Sequence, residues 1–275
     1  MLEFDDIQHI LLMRVPALTG RYEFLSFRNT TGGRTWLSAI REKVQSAAEV
    51  RASVEQEKRW VTVAFTWNGL RALGVDEASL ATFPEEFRQG MVARAEMLGD
   101  TGANHPDNWV GGLASPSLHA IVILFAGDEA ERERCVTEHN KFIAQCRNVE
   151  VLSSLDLAAI PPFIYAHDHF GYRDRLSQPV IEGGGEVPTP GSGALLKPGE
   201  FILGYPDEAR TACQSAAARN SLSQRQLHGL SQDARACGGV SRLPATTRPD
   251  SRGAGTRGGE THGPLAQRRP ARAGA

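Results

Sequence analysis

Apolar positions along residues 1–165 recur in two rhythms, and their alternation predicts the fold. Arg21–Phe27 (RYEFLSF), Trp60–Phe65 (WVTVAF), His119–Phe125 (HAIVILF) and Val149–Leu152 (VEVL) are short runs rich in aromatic and β-branched residues, the pattern of strands. The near-continuous apolar run at His119–Phe125 marks a buried strand. Between these runs the spacing turns helical over Thr35–Ser46, Asn68–Leu73, Phe83–Leu98 and Asp128–Cys146. Thr30–Arg34 reads as a polar, Gly-rich turn before the first helix. Phe87, Met91 and Met97 fall near one face of the third helix, and Val136, Phe142 and Ile143 form the buried side of the fourth. The order β-α-β, helical insertions, then β-α-β is the split βαβ of a ferredoxin-like sandwich. The expected class is therefore α+β with a βαββαβ core. Many functions share that architecture, so it identifies none of them.

Pro161–Pro162 breaks the pattern and closes a first domain at residues 1–165. Residues 166–208 begin something new. In them Gly183–Gly185, Pro188, Pro190, Gly191 and Gly193 predict a long flexible loop, and Phe201–Tyr205 predicts a strand. From Ala209 onward the composition changes abruptly: 209–275 contains no Phe, Tyr, Trp, Ile, Met or Lys. Such a segment buries too little apolar area to offset a chain entropy of roughly 1–2 kcal/mol per residue, which predicts disorder.

The net charge of −2 conceals an asymmetry. Residues 209–275 hold eleven Arg and three acids, so the body of the chain is strongly acidic, which argues against a nucleic-acid partner. Ser251–Gly259 (SRGAGTRGG) is loosely like an RNA-binding Arg/Gly segment but has no aromatics to stack on bases. Cys135, Cys146, Cys213 and Cys237 lack metal-ligand spacing, and core packing suffices for the first two. The first residues, MLEFDDIQHILLMRV, carry acids where a signal peptide carries basic residues, and their apolar run is too short to span a membrane. The expectation is a cytoplasmic protein without membrane contact.

Chemistry-bearing residues concentrate in His169–Pro179 (HFGYRDRLSQP) and Lys197–Glu208 (KPGEFILGYPDE). With Val63–Val75 (VAFTWNGLRALGV), Phe83–Asp100 (FPEEFRQGMVARAEMLGD) and Asn108–Trp109, these blocks resemble the dye-decolourising (Dyp-type) haem peroxidase family in order and spacing over residues 1–208. The resemblance implies tandem ferredoxin-like domains, with haem b bound in the second. It implies hydrogen peroxide as oxidant and dyes or phenolic compounds as electron donors.

The family's G-x-x-D-G stands here as Gly171-Tyr172-Arg173-Asp174-Arg175. The resemblance makes Asp174 the distal acid–base, which takes a proton from peroxide and returns it to the leaving oxygen. It places Gly171, Arg173 and Arg175 beside the cofactor. Arg175 departs from the family's Gly, and a non-Gly residue there costs about 1–2 kcal/mol if φ is positive. The pair His167 and His169 has the alternate spacing of a strand-borne metal site, for which a solvated loop is the plainer account. Tyr165, Tyr172 and Trp109 are candidate electron relays, with core packing the alternative. His9, His105, His119 and His139 are isolated, and core or surface roles suffice for them.

The family takes its iron-ligating His and a distal Arg from sequence beyond GEFILGYP. The later histidines here, His228 and His262, lie in no matching sequence, so no metal ligand is assigned. Ser223–Ala234 (SQRQLHGLSQDA), back-translated with suitable codons and advanced by one nucleotide, gives RNGSYMAYRKM, and Glu260–Ala275 likewise gives KLMGRWRSGAPLVLA. Both resemble the family's next blocks, in order and in one frame. The expectation is a frameshift after Glu208 and an out-of-frame tail, hence poor haem binding. The competing expectation is a non-catalytic ferredoxin-like domain in which Phe201, Ile202 and Leu203, lacking partner strands, drive association with a second copy or another chain.

Overall fold

Four antiparallel strands organise the molecule: β1 (Thr19–Phe27), β2 (Arg59–Phe65), β3 (Ala120–Ala126) and β4 (Val149–Ala158), in the order β2-β3-β1-β4. The computed structural model describes residues 1–53, 55–158, 179–188 and 193–209. These all belong to a unit spanning Met1–Gly239, and a second unit, Val240–Ala275, lies outside the described residues. Helix α1 (Thr30–Ile40) links β1 to β2, followed by a short α2 (Ala47–Ser53). Between β2 and β3 come α3 (Trp67–Ala72), α4 (Glu77–Leu80), α5 (Glu85–Ala93) and α6 (Ala95–Leu98), and α7 (Glu129–Gln145) links β3 to β4. This is the ferredoxin-like βαββαβ order read from the sequence.

Local chemistry sets the helix boundaries. Asn29 accepts a hydrogen bond from Gly32 N at 2.8 Å, so α1 starts at Thr30 and absorbs the stretch read as a turn. Asp128 caps α7 in the same way, accepting from Glu131 N at 2.8 Å. The helix expected over Phe83–Leu98 is broken: Gly90 has φ +71° and separates two short pieces, leaving Met91 and Met97 exposed. Phe83 instead packs with Leu70 and Leu80.

Strand β4 runs six residues past the predicted VEVL. Val151 pairs with Leu25, but Ser153 pairs with Phe24, so Leu152 is the extra residue of a bulge. The bulge shifts the inward/outward alternation by one. Beyond it, SSLDLA no longer reads as a half-buried strand, although it remains hydrogen-bonded to β1.

The main core lies between the sheet and its helices: Leu25, Phe27, Trp36, Leu37, Val63, Leu124, Val136 and Ile143 are buried there. Cys135 and Cys146 are free thiols in the same cluster, as core packing predicts. No helix among the described residues is long and apolar enough to cross a membrane.

The strand expected at Phe201–Tyr205 does not form. Pro198–Glu200 makes a 3₁₀ turn, and Gly204 takes φ +82°, so the chain curls. The short strands are β5 (Val180–Ile181) and β6 (Leu195–Leu196), paired in parallel. Ile202 is buried against Leu2, Ile7, Leu12, Ala47 and Ile181, and Leu203 packs on the Leu70–Leu80–Phe83 cluster. Of the three residues on which the self-associating alternative rested, Ile202 and Leu203 thus pack on the chain itself, whereas Phe201 is 39% exposed.

Candidate functional site

The sequence-predicted site residues Gly171, Arg173, Asp174 and Arg175 lie outside the described residues, as do His167, His169, Tyr165 and Tyr172. The described chain on both sides of them is firmly held. On the incoming side, β4 ends at Ala158, where Thr19 Oγ1 donates to the Leu157 carbonyl at 2.9 Å. On the outgoing side, Val180 and Ile181 are buried, and Arg51 Nη2 donates to the Gly184 carbonyl at 2.9 Å. The Arg51 guanidinium lies over the Phe4 ring at 4.3 Å, and Glu3 N donates to the Tyr205 hydroxyl oxygen at 3.1 Å. Residues 1–13 and the return segments 179–188 and 193–209 therefore interlock beside the end of the sheet.

A cleft of about 390 Å³ opens there, between the N-terminal segment and the ends of β3 and β4. His9, Met13, Arg14, Thr19, Phe125 and Leu157 are among its lining residues. His9 is almost fully buried, its Nδ1 lies 3.3 Å from the Gln45 carbonyl, and its Nε2 has no partner among the described residues. Nδ1 therefore carries the proton and donates. Burial pushes the imidazole below its ordinary value of 6.5, keeping it neutral.

The other described histidines are committed to structure. His119 Nδ1 accepts from Phe27 N at 2.8 Å, and burial lowers its pKa as well. His105 Nδ1 accepts from Asp107 N at 3.3 Å in an exposed loop. His139 is buried between Glu23 and Trp36, bonded through both ring nitrogens. Among the described residues no group of His, Cys, Asp or Glu is placed to hold a metal ion. Trp109, a candidate relay, donates from Nε1 to the Asn104 carbonyl at 2.9 Å, which fastens its own loop.

The pair Glu23–His139 went unnoticed in the sequence, although a signal was present. Glu23 alternates with Leu25 and Phe27 on the helix-facing row of β1, and His139 follows Cys135 and Val136 on the buried face of α7. An acid and a histidine on two facing apolar stripes imply a partnered buried pair.

The face of the sheet turned away from the helices is also apolar. Tyr22, Phe24, Ile123, Phe125, Leu155 and Leu157 alternate onto it, and Leu155 is 57% exposed. The family model described as the DyP dimeric alpha+beta barrel domain matches residues 6–155. The chain belongs to the DyP-type peroxidase family.

Among DyP-type relatives, Peroxidase 2 of Mycetinis scorodonius is 29% identical over 229 residues, covering 82% of this chain and 43% of its own length. A dye-decolorizing peroxidase of Exidia glandulosa is 29% identical over 236 residues, covering 83% of this chain and 44% of its own. The chain thus spans less than half the length of these relatives. A crystal structure of DyP superposes with a TM-score of 0.68 at 24% identity, over 80% of this chain and 47% of that one. A fungal DyP-type peroxidase from Auricularia auricula-judae gives 0.66 at 22% identity, over 78% and 46%. Both superpositions establish a shared fold.

Proposed function

We propose that residues 1–208 form the N-terminal part of a haem b peroxidase that reduces hydrogen peroxide and oxidises dyes or phenolic donors. The observation that carries this reading is the family match over residues 6–155, with the Gly171-Tyr172-Arg173-Asp174-Arg175 segment further along the chain. Haem, when bound, supplies the redox chemistry. Asp174 contributes proton movement: its carboxylate takes a proton from hydrogen peroxide and returns it to the departing oxygen. By the family resemblance, Gly171, Arg173 and Arg175 would help to hold the cofactor beside it.

Residues 1–165 form the first domain in this proposal, and residues 166–208 lead into the second. The Tyr22–Ile123–Phe125–Leu155 face is the surface we assign to a second sheet of the same kind, as a dimeric α+β barrel implies. Residues 209–275 are read as out of frame, with the iron ligand encoded in the neighbouring frame. One feature supports this: the two family-like blocks that appear on advancing by one nucleotide. The self-associating alternative is not better supported: Ile202 and Leu203 pack on the chain itself, while Phe201 is exposed.

The test is Asp174→Asn in protein made from the coding region with its frame restored. The expected result is intact haem absorbance with the peroxide reaction slowed by about 10²–10⁴-fold. An Asp174→Asn protein reacting with peroxide as fast as its parent overturns the assignment.

A further inference from the structure

Strand β2 ends the four-stranded sheet, and an end strand turns alternate backbone groups away from its neighbour. In β2 two glutamine side chains meet four of those groups. Gln8 Nε2 donates to the Val63 carbonyl at 2.9 Å, and its Oε1 accepts from Val63 N at 2.9 Å. Gln45 repeats the arrangement one step along the strand. Its Nε2 donates to the Arg59 carbonyl at 3.0 Å, and its Oε1 accepts from Val61 N at 2.8 Å. A primary amide holds a donor and an acceptor side by side, so each glutamine presents what a paired strand would present. Thr62 Oγ1 also donates to Gln8 Oε1, at 2.6 Å, which fixes the end of that amide that faces Val63 N.

The two glutamines ride on one plate. Gln8 and Ser46 form an antiparallel bridge, and Ala47 N donates to the Ile7 carbonyl at 2.8 Å. His9 gives both its backbone N–H and its Nδ1 to the Gln45 carbonyl, each at 3.3 Å. Leu2, Ile7, Leu12 and Ala47 are buried together in the same plate. Behind it lies Trp60–Phe65, WVTVAF, which has no charge and no Pro and is β-branched or aromatic at every residue but Ala64. Such a segment pairs readily with copies of itself. Antiparallel self-pairing centred on Val61 sets Arg59 opposite Val63, so the two arginines do not meet.

We propose that the edge of β2 is a latent strand-docking surface whose partner is β2 of a second copy, and that Gln8 and Gln45 keep it shut. With both amides in place, the outward groups of Arg59, Val61 and Val63 are already bonded, and an incoming strand gains nothing there. Without them, Val61 N, Val63 N and two carbonyls face a gap that only water fills. The plate then loses its four bonds to β2 and swings out. The exposed edge is next satisfied by the same strand of another copy, related by a two-fold axis. This surface is an edge, separate from the apolar Tyr22–Leu155 face assigned above to a second sheet.

The test is the full chain carrying Gln8→Ala and Gln45→Ala, followed by sedimentation velocity and amide hydrogen exchange over a dilution series. In the unsubstituted chain the Val61 and Val63 amides are protected at every concentration. In the double variant they lose protection when dilute, while the amides of β1 and β3 keep theirs. On concentrating, the mass rises to twice that of the unsubstituted chain, and protection of Val61 and Val63 returns. A double variant whose mass follows the unsubstituted chain throughout overturns the docking surface. So does association that leaves Val61 and Val63 exchanging freely. Where the double variant loses β1 and β3 protection as well, Gln8→Ala and Gln45→Ala are measured singly. Each is expected to associate through the same amides at higher concentration, and the same two results overturn the proposal.

Discussion

Arg51 Nη2 and the carbonyl of Gly184 are joined by a 2.9 Å hydrogen bond across 133 residues of sequence. The bond ties α2 to the return segment just after the Gly171–Arg175 block. With the Arg51–Phe4 contact it makes one side chain the staple of three separate stretches. Arg51 itself is largely solvent-facing, so the global effect of removing it is small, about 1 kcal/mol. The local effect is larger. In Arg51→Ala, hydrogen exchange at the amides of Glu182 and Gly184, which donate to Leu196 and Ile181, accelerates relative to the rest of the sheet. Unchanged protection of those amides contradicts the staple.

Ile202 tests whether the return segment is part of the fold. It is buried among Leu2, Ile7, Leu12 and Ile181. Ile202→Ala removes apolar volume there and lowers unfolding free energy in urea by about 2–4 kcal/mol. A change under about 0.5 kcal/mol means that the segment does not pack on the domain.

Gly69 opposes two effects. Replacing a helical Gly by Ala ordinarily stabilises by about 1 kcal/mol. A Cβ at Gly69, however, runs into the backbone carbonyl of His119, which is held because His119 N donates to Leu25 O at 2.8 Å. Overpacking against fixed backbone costs about 1–3 kcal/mol and outweighs the gain. Thermal melting of Gly69→Ala is expected to fall, whereas Gly193→Ala, where a Cβ meets nothing within 4 Å, leaves it unchanged.

Acid sensitivity follows from His9 and His119. Both are lowered from 6.5 by burial, so between the ordinary and the lowered value the unfolded chain binds more protons. Stability is then complete above about 6.5 and declines as pH falls through the lowered range. Urea midpoints measured across this range are expected to drop on the acid side, with a shallower slope in His9→Gln. A slope that is the same in His9→Gln and the parent removes His9 from the account.

Much of this architecture was legible in the chain itself. Strands at RYEFLSF, WVTVAF and HAIVILF and the capped helix after Asp128 emerged because burial there follows a regular period. The misreadings have local causes. Leu152 inserts a bulge that inverts the period along β4, Gly90 interrupts an apparent helix, and Gly204 curls a stretch that looks like a strand. Each is a single residue whose effect on backbone direction leaves no periodic trace. At the candidate site, Asp174 was reached through the resemblance of its block and lies outside the described residues. The buried Glu23–His139 pair was recoverable only by placing two apolar stripes face to face.

The central claim is that residues 1–208 carry one half of a haem peroxidase site, with the iron ligand encoded out of frame. Titrating the purified 275-residue chain with hemin, while following the Soret band and peroxide turnover, tests it most directly. The account predicts no histidine-ligated Soret band and no turnover from this chain, with both present once the frame is restored. A strong Soret band with peroxide turnover from the chain as it stands contradicts it.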